Sequence, residues 1–146
     1  MKIHGALSNI AAEDEAIAQA IARVVKMVEP RLGFLAPAGT KLETAGFAHG
    51  LAVAREIYAD RAYTDAGLLV ERSCPGAMLH DAGDAAARVL AMVLEGAIIT
   101  ISGKRLAAGI DSICVHGDSP NAVAMAKAVR ACLEQAGIAL ASFAPV

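Results

Sequence analysis

The stretch SICVHGDSPNAVAMAKAVRACLEQAGI, residues 112–138, sets the architecture from which the rest of the chain can be read. Ile113, Cys114 and Val115 form a short apolar run that reads as a buried strand, and it runs straight into His116-Gly117-Asp118. Ser119 is the expected N-cap of the helix that follows, with Pro120 in its first turn. The helix stripe is expected at Ala122, Met125, Val129, Cys132 and Ala136, with Gly137 as its stop and Ile138–Phe143 as a last short strand. A strand that ends in polar, titratable residues and hands on to a helix is where α/β folds carry their chemistry.

Working outward, helical and apolar segments alternate. From Glu13 to Glu29, Ile17, Ile21, Val24 and Val28 make one helical stripe, with acids in the first turn and Pro30 beyond the end. Leu32–Ala36 is a short strand with Pro37-Ala38-Gly39 as its exit, Thr40–His49 a short helix, and Leu51–Tyr58 another strand. Ala59–Gly76 is a long polar connection. Asp81–Glu95 is helical, with Ala85, Val89 and Met92 inward and Gly96 as the stop. Ile98–Ile101 and Leu106–Ala108 form a hairpin around Ser102-Gly103-Lys104. This order predicts an α/β fold of mainly parallel strands in a single domain, residues 1–146.

Composition narrows the function classes. The chain has 146 residues and a formal net charge of -2, which gives no electrostatic footprint for nucleic acid or an anionic membrane. Aromatic residues make up 3%, too few for a base-stacking surface. Cys74, Cys114 and Cys132 are odd in number and widely spaced, so a reduced, cytoplasmic setting is expected rather than a disulfide scaffold. Cys114 reads as core, and Cys74 as the more reactive thiol. No apolar run approaches the ~20 residues that span a bilayer. Gly103-Lys104 lacks the glycine spacing of a phosphate loop, and no Gly-x-Ser-x-Gly elbow occurs.

The polar candidates gather at strand ends. Lys2-Ile3-His4-Gly5 is a second short extended run ending in His-Gly before a helix, so His4 and His116 are candidates for proton transfer or metal binding. The connection Ala59–Gly76 carries Asp60, Arg61 and Arg72, and a long ordered loop in a compact domain is commonly functional. Arg72 is suited to grip a carboxylate with its planar fork. Local capping by each histidine and a solvated loop are the competing structural readings.

With these segments in view, the chain resembles the LamB/YcsF family, the A component of bacterial 5-oxoprolinase. Lys2-Ile3-His4-Gly5-Ala6-Leu7-Ser8-Asn9 is similar to the family's Lys-Pro-His-Gly-Ala-Leu-Tyr-Asn motif, with Ile3 and Ser8 replacing the proline and tyrosine. Ala59–Asp65, Arg72–Ala77 and Ile113–Asp118 resemble its later blocks, with Glu71 standing where the family usually has proline. The resemblance implies a partial or distorted (β/α) barrel of the glycoside hydrolase/deacetylase type. It also implies cleavage of 5-oxo-L-proline to L-glutamate, coupled to ATP hydrolysis and performed with B- and C-type partner subunits. By motif match it implies His4, His116 and Asp118 as catalytic candidates, with either histidine as base and Asp118 as its orienter. Lys2, Asn9, Asp60 and Arg72 become candidates for substrate binding, with Arg72 as the carboxylate clamp.

The family's Asp-Leu-Asn and Cys-Gly-Phe-His-Ala-Gly-Asp segments are not found here, so residues 1–146 are expected to match the C-terminal part of the barrel. Uncovered strand edges then predict a homodimer or larger oligomer, burying the Lys2–Leu7 and Ile138–Phe143 edges. Two other readings stand beside this one. One is a metal-dependent amide or acetyl hydrolase using His4, His116 and Asp118. The other is a non-catalytic remnant that binds a small acid or a partner subunit. The sequence leaves the metal open.

Overall fold

The computed structural model describes residues 1–142. In chain order it contains α1 (Gly5–Glu13), α2 (Glu15–Val28), β1 (Gly33–Pro37), α3 (Lys41–Ala48), β2 (Ala52–Tyr58), α4 (Ala82–Glu95), β3 (Ala97–Ile99), β4 (Arg105–Ala107), β5 (Ser112–Cys114) and α5 (Ala122–Gln135). These form two compact units, one mainly Met1–Glu56 with Gly109–Ser112, the other mainly Ile57–Ala108 with Ile113–Ala141. Among the described residues no helix is long and apolar enough to cross a membrane.

In the first unit, β1 and β2 pair in parallel with Phe34 opposite Val53, and α3 makes the crossover between them. Parallel neighbours need such a crossover, and a helix supplies it while covering one face of the sheet. Thr40 caps α3 by accepting from the Glu43 N–H, as a β-region Thr ahead of a helix should. Gly46 lets α3 lie close on the strands, since a Cβ there would stand 2.8 Å from Val53 Cγ2 and 3.0 Å from Phe34 Cδ1. Phe34, Ala36, Leu42, Ala45 and Leu51 form the core with Ala18, Ala22 and Val25 of α2.

That α2 face departs from the expected stripe. Ile17 and Ile21 are partly buried against the core, but Val24 and Val28 are exposed, and alanines take the central line. The methyl side chains of Ala18 and Ala22 permit a closer approach than a valine ridge, which size-weighted hydropathy overlooks. The helix also starts afresh at Glu15, because Asp14 leaves helical geometry and caps α2 by accepting from the Ile17 N–H.

In the second unit, α4 and α5 pack together through Ala85, Ala86, Val89 and Met92 on one side and Met125, Val129 and Leu133 on the other. Gly96 ends α4 in the left-handed region at φ 60°, a position that favours glycine. β3 and β4 form the antiparallel hairpin expected there. The Ala59–Asp81 connection is folded on itself, with bridges Arg61–Met78 and Tyr63–Leu69 around a small core of Ala62, Val70 and Ala77.

Two expectations near the C-terminus are corrected. Ser119 does not cap α5; Ser119 and Pro120 form a preceding turn, the cap residue is Asn121, and no side-chain cap bond is made. A residue before proline is steered away from helical geometry, and here the turn closes before the helix begins. Leu133, rather than Ala136, completes the buried stripe. Residues 138–142 form no strand, and Phe143 lies outside the described residues.

Candidate functional site

The site in the second unit is built where two strand ends meet. The Ala59 N–H donates to the Cys114 carbonyl at 2.9 Å, continuing the pairing of β2 with β5 one residue past the end of β2. Each chain segment then turns one polar side chain toward the other. His116 Nδ1 lies 2.8 Å from both carboxylate oxygens of Asp60. Asp60 is 5% exposed, whereas the His116 side chain retains 27%. A buried carboxylate against Nδ1 fixes the ring's orientation and tautomer, leaving Nε2 as the nitrogen not engaged by Asp60.

Tyr58 supports this pair. Its ring stacks on His116 at 5.5 Å between centroids with 11° between planes. Its backbone N–H donates to the Tyr63 hydroxyl at 2.9 Å within the buried region. Arg88 in turn lies 5.6 Å from the Tyr63 ring centroid and donates to the carbonyls of Arg61 and Ile99. Burial lowers the pKa of the Arg88 guanidinium.

Asp118 occupies a different place from the one expected of it. Its carboxylate accepts from Arg72 Nη1 at 3.1 Å, and both side chains are exposed. The hydrogen bond from Arg72 holds the Asp118 carboxyl below its ordinary value. Asp60, expected to contact substrate, is therefore the residue that orients His116, while Asp118 pairs with Arg72.

The remaining candidates fall in the first unit. Lys2 forms a parallel bridge with Leu35, and its ammonium pairs with Glu56, which is 4% exposed. His4 is the exposed cap residue of α1 and makes no side-chain cap bond. Asn9 is exposed on α1. Among the described residues, no three His, Cys, Asp or Glu side chains come together as a metal-binding group.

Tyr58 and Tyr63 stand beside the His116–Asp60 pair in the second unit, and Glu56 beside Lys2 in the first; none of the three was among the expected site residues. A signal was present for Tyr58, since alternate residues of a strand share a face and Tyr58 stands two before Asp60 at the end of β2. Glu56 was less visible, because Arg55 beside it in β2 interrupts the apolar run, and only the structure shows its buried carboxylate paired with Lys2.

The LamB/YcsF family pattern matches residues 1–146. The chain is 51% identical over 144 residues to a protein from Rhodopseudomonas palustris (strain BisA53) that is named as the A component of 5-oxoprolinase, covering 99% of this chain and 56% of that one. It is 53% identical over 146 residues to a protein of the same name from Azorhizobium caulinodans, covering 57% of it. The crystal structure of the lactam utilization protein from Thermus thermophilus superimposes with a TM-score of 0.84 at 42% identity, over 97% of this chain and 56% of that one. The chain thus spans a little over half the length of the curated relatives it matches, and the expected α/β class with parallel strands holds. With the family's ordered blocks present and its fold reproduced, this chain belongs to the LamB/YcsF family.

Proposed function

We propose that the chain acts as an A-type component of 5-oxoprolinase, opening the lactam of 5-oxo-L-proline to L-glutamate. The observation that carries this reading is the half-identity to relatives bearing that name; the His116–Asp60 pair supplies a chemistry consistent with it. His116, oriented by Asp60, takes a proton from water through Nε2 as the water oxygen attacks the lactam carbonyl carbon. The C–N bond then breaks, and the proton passes to the departing nitrogen, which becomes the glutamate amine. Arg72 is suited to hold the substrate carboxylate as a planar fork. Asp118 pairs with Arg72 rather than with the imidazole, and gives Arg72 up when the substrate carboxylate arrives. Lys2, His4 and Asn9 remain candidates by motif, with Lys2 held by Glu56.

Lactam opening at neutral pH is coupled, in this reading, to ATP hydrolysis in a complex with B- and C-type subunits, within the cytoplasm. Thiols rather than disulfides at Cys74, Cys114 and Cys132 fit a reducing compartment. Self-association fits the exposed Leu7, Ile10, Met27 and Val28 of the first unit. The test is incubation of the chain with 5-oxo-L-proline, ATP and the partner subunits, followed by a glutamate assay. Release that depends on all components supports the proposal, and no glutamate under any partner combination defeats it.

A further inference from the structure

Two arginines stand near the His116–Asp60 pair: Arg72, held by an exposed carboxylate, and Arg61, which keeps a buried donor without an acceptor among the described residues. Arg61 is 6% exposed, its Nη2 donates to the Val70 carbonyl at 2.6 Å, and its buried Nε has no acceptor among the described residues. Buried donors are almost always paired, so an orphan of this kind calls for a reason. Arg88 donates to the Arg61 carbonyl and brings no negative charge. The neighbouring carboxylate, Asp60, is already engaged by His116. Burial first, and then the nearby charge of Arg72, lowers the pKa of the Arg61 guanidinium. The partner of Arg72, Asp118, is 58% exposed, and an ion pair this open to water is weak and easily exchanged.

We infer that Arg61 and Arg72 together form a subsite for an oxyanion, a carboxylate or a phosphoryl group, with Asp118 holding Arg72 until that anion takes its place. Planar guanidinium forks match the geometry of both anions. An anion between them offsets the repulsion of the two cations and supplies the missing acceptor. The inference rests on the 5-oxoprolinase reading only for the anion's source, which is either the carboxylate of 5-oxo-L-proline or a phosphoryl group.

The ¹⁵N-labelled chain, titrated in separate arms with inorganic phosphate and with 5-oxo-L-proline against sodium chloride at matched ionic strength, tests this. The Arg61 Nε and His116 ring resonances should move saturably in at least one arm, and the responding arm identifies the source. Arg72→Gln should weaken that binding about tenfold, and Arg61→Lys should weaken it too. Asp118→Asn should tighten it by removing the competing carboxylate. No saturable movement in either arm, or unchanged affinity in Arg72→Gln, overturns the subsite; unchanged affinity in Asp118→Asn overturns the exchange. Saturable binding without glutamate release from the assembled enzyme would instead defeat the lactam reading alone.

Discussion

His116 Nδ1 bonds to the Asp60 carboxylate at 2.8 Å, across 56 residues of sequence. The pairing assigns Asp60 the orienting role and separates it from Asp118, which sits on Arg72. Asp60→Asn should therefore lower kcat for glutamate release by the assembled enzyme about 10²–10⁴-fold, as loss of a positioned general base does. Asp118→Asn should act chiefly on KM. Equal effects of the two substitutions on kcat, measured in steady state, would contradict the assignment.

Tyr63 holds the strand end beneath the histidine. Tyr63→Phe removes only the hydroxyl, which accepts from the Tyr58 N–H at 2.9 Å, and so deletes a buried hydrogen bond. The expected cost is about 1–3 kcal/mol of stability. It should appear as a lower urea midpoint at unchanged slope, and an unaltered midpoint would show that the bond contributes nothing.

Gly109 is required by a neighbouring side chain. A Cβ there would fall 1.7 Å from Arg55 Nη1, and Arg55 is held by Asp111 through Nε at 2.6 Å and Nη2 at 2.8 Å. Gly109→Ala should therefore dislodge the fork and cost about 1 kcal/mol, the scale of a partly exposed ion pair. In an Arg55→Ala background the same change should cost little. A double-mutant cycle that comes out additive would refute the steric coupling.

The same pair gives a pH dependence. The hydrogen bond from Arg55 leads the causes that hold the Asp111 carboxyl below its ordinary 3.8. The unfolded chain thus takes up this proton at a higher pH than the folded protein does. The pair's stabilisation is full above the unfolded value and is lost as pH falls through the folded one. The stability gap between the native protein and Asp111→Asn should be widest near neutrality and close below 3.8. Urea midpoints whose difference stays constant from about pH 7 to about pH 3 would reject this.

Much of the local structure was legible because its causes are local. Thr40 and Asp81 announce the helices they cap, Gly96 ends α4, and Ala85, Val89 and Met92 form the buried line their spacing predicts. The placement of His116 at a strand end, and of Asp60 in the connection that follows a strand, was equally readable, since both need only chain-neighbour information. The sequence by itself also determined the family, through blocks of residues in a set order. Only the tertiary structure decided which carboxylate serves which cation. Asp118 is two residues from His116 and looked like its partner, yet the chain turns away after the strand end, and strand pairing brings Asp60 alongside instead. The α2 face was settled the same way, because whether alanine or valine is buried depends on how closely α3 and β1 approach. Side-chain partnership across 56 residues is a property of strand adjacency, and adjacency is set by packing rather than by distance along the chain.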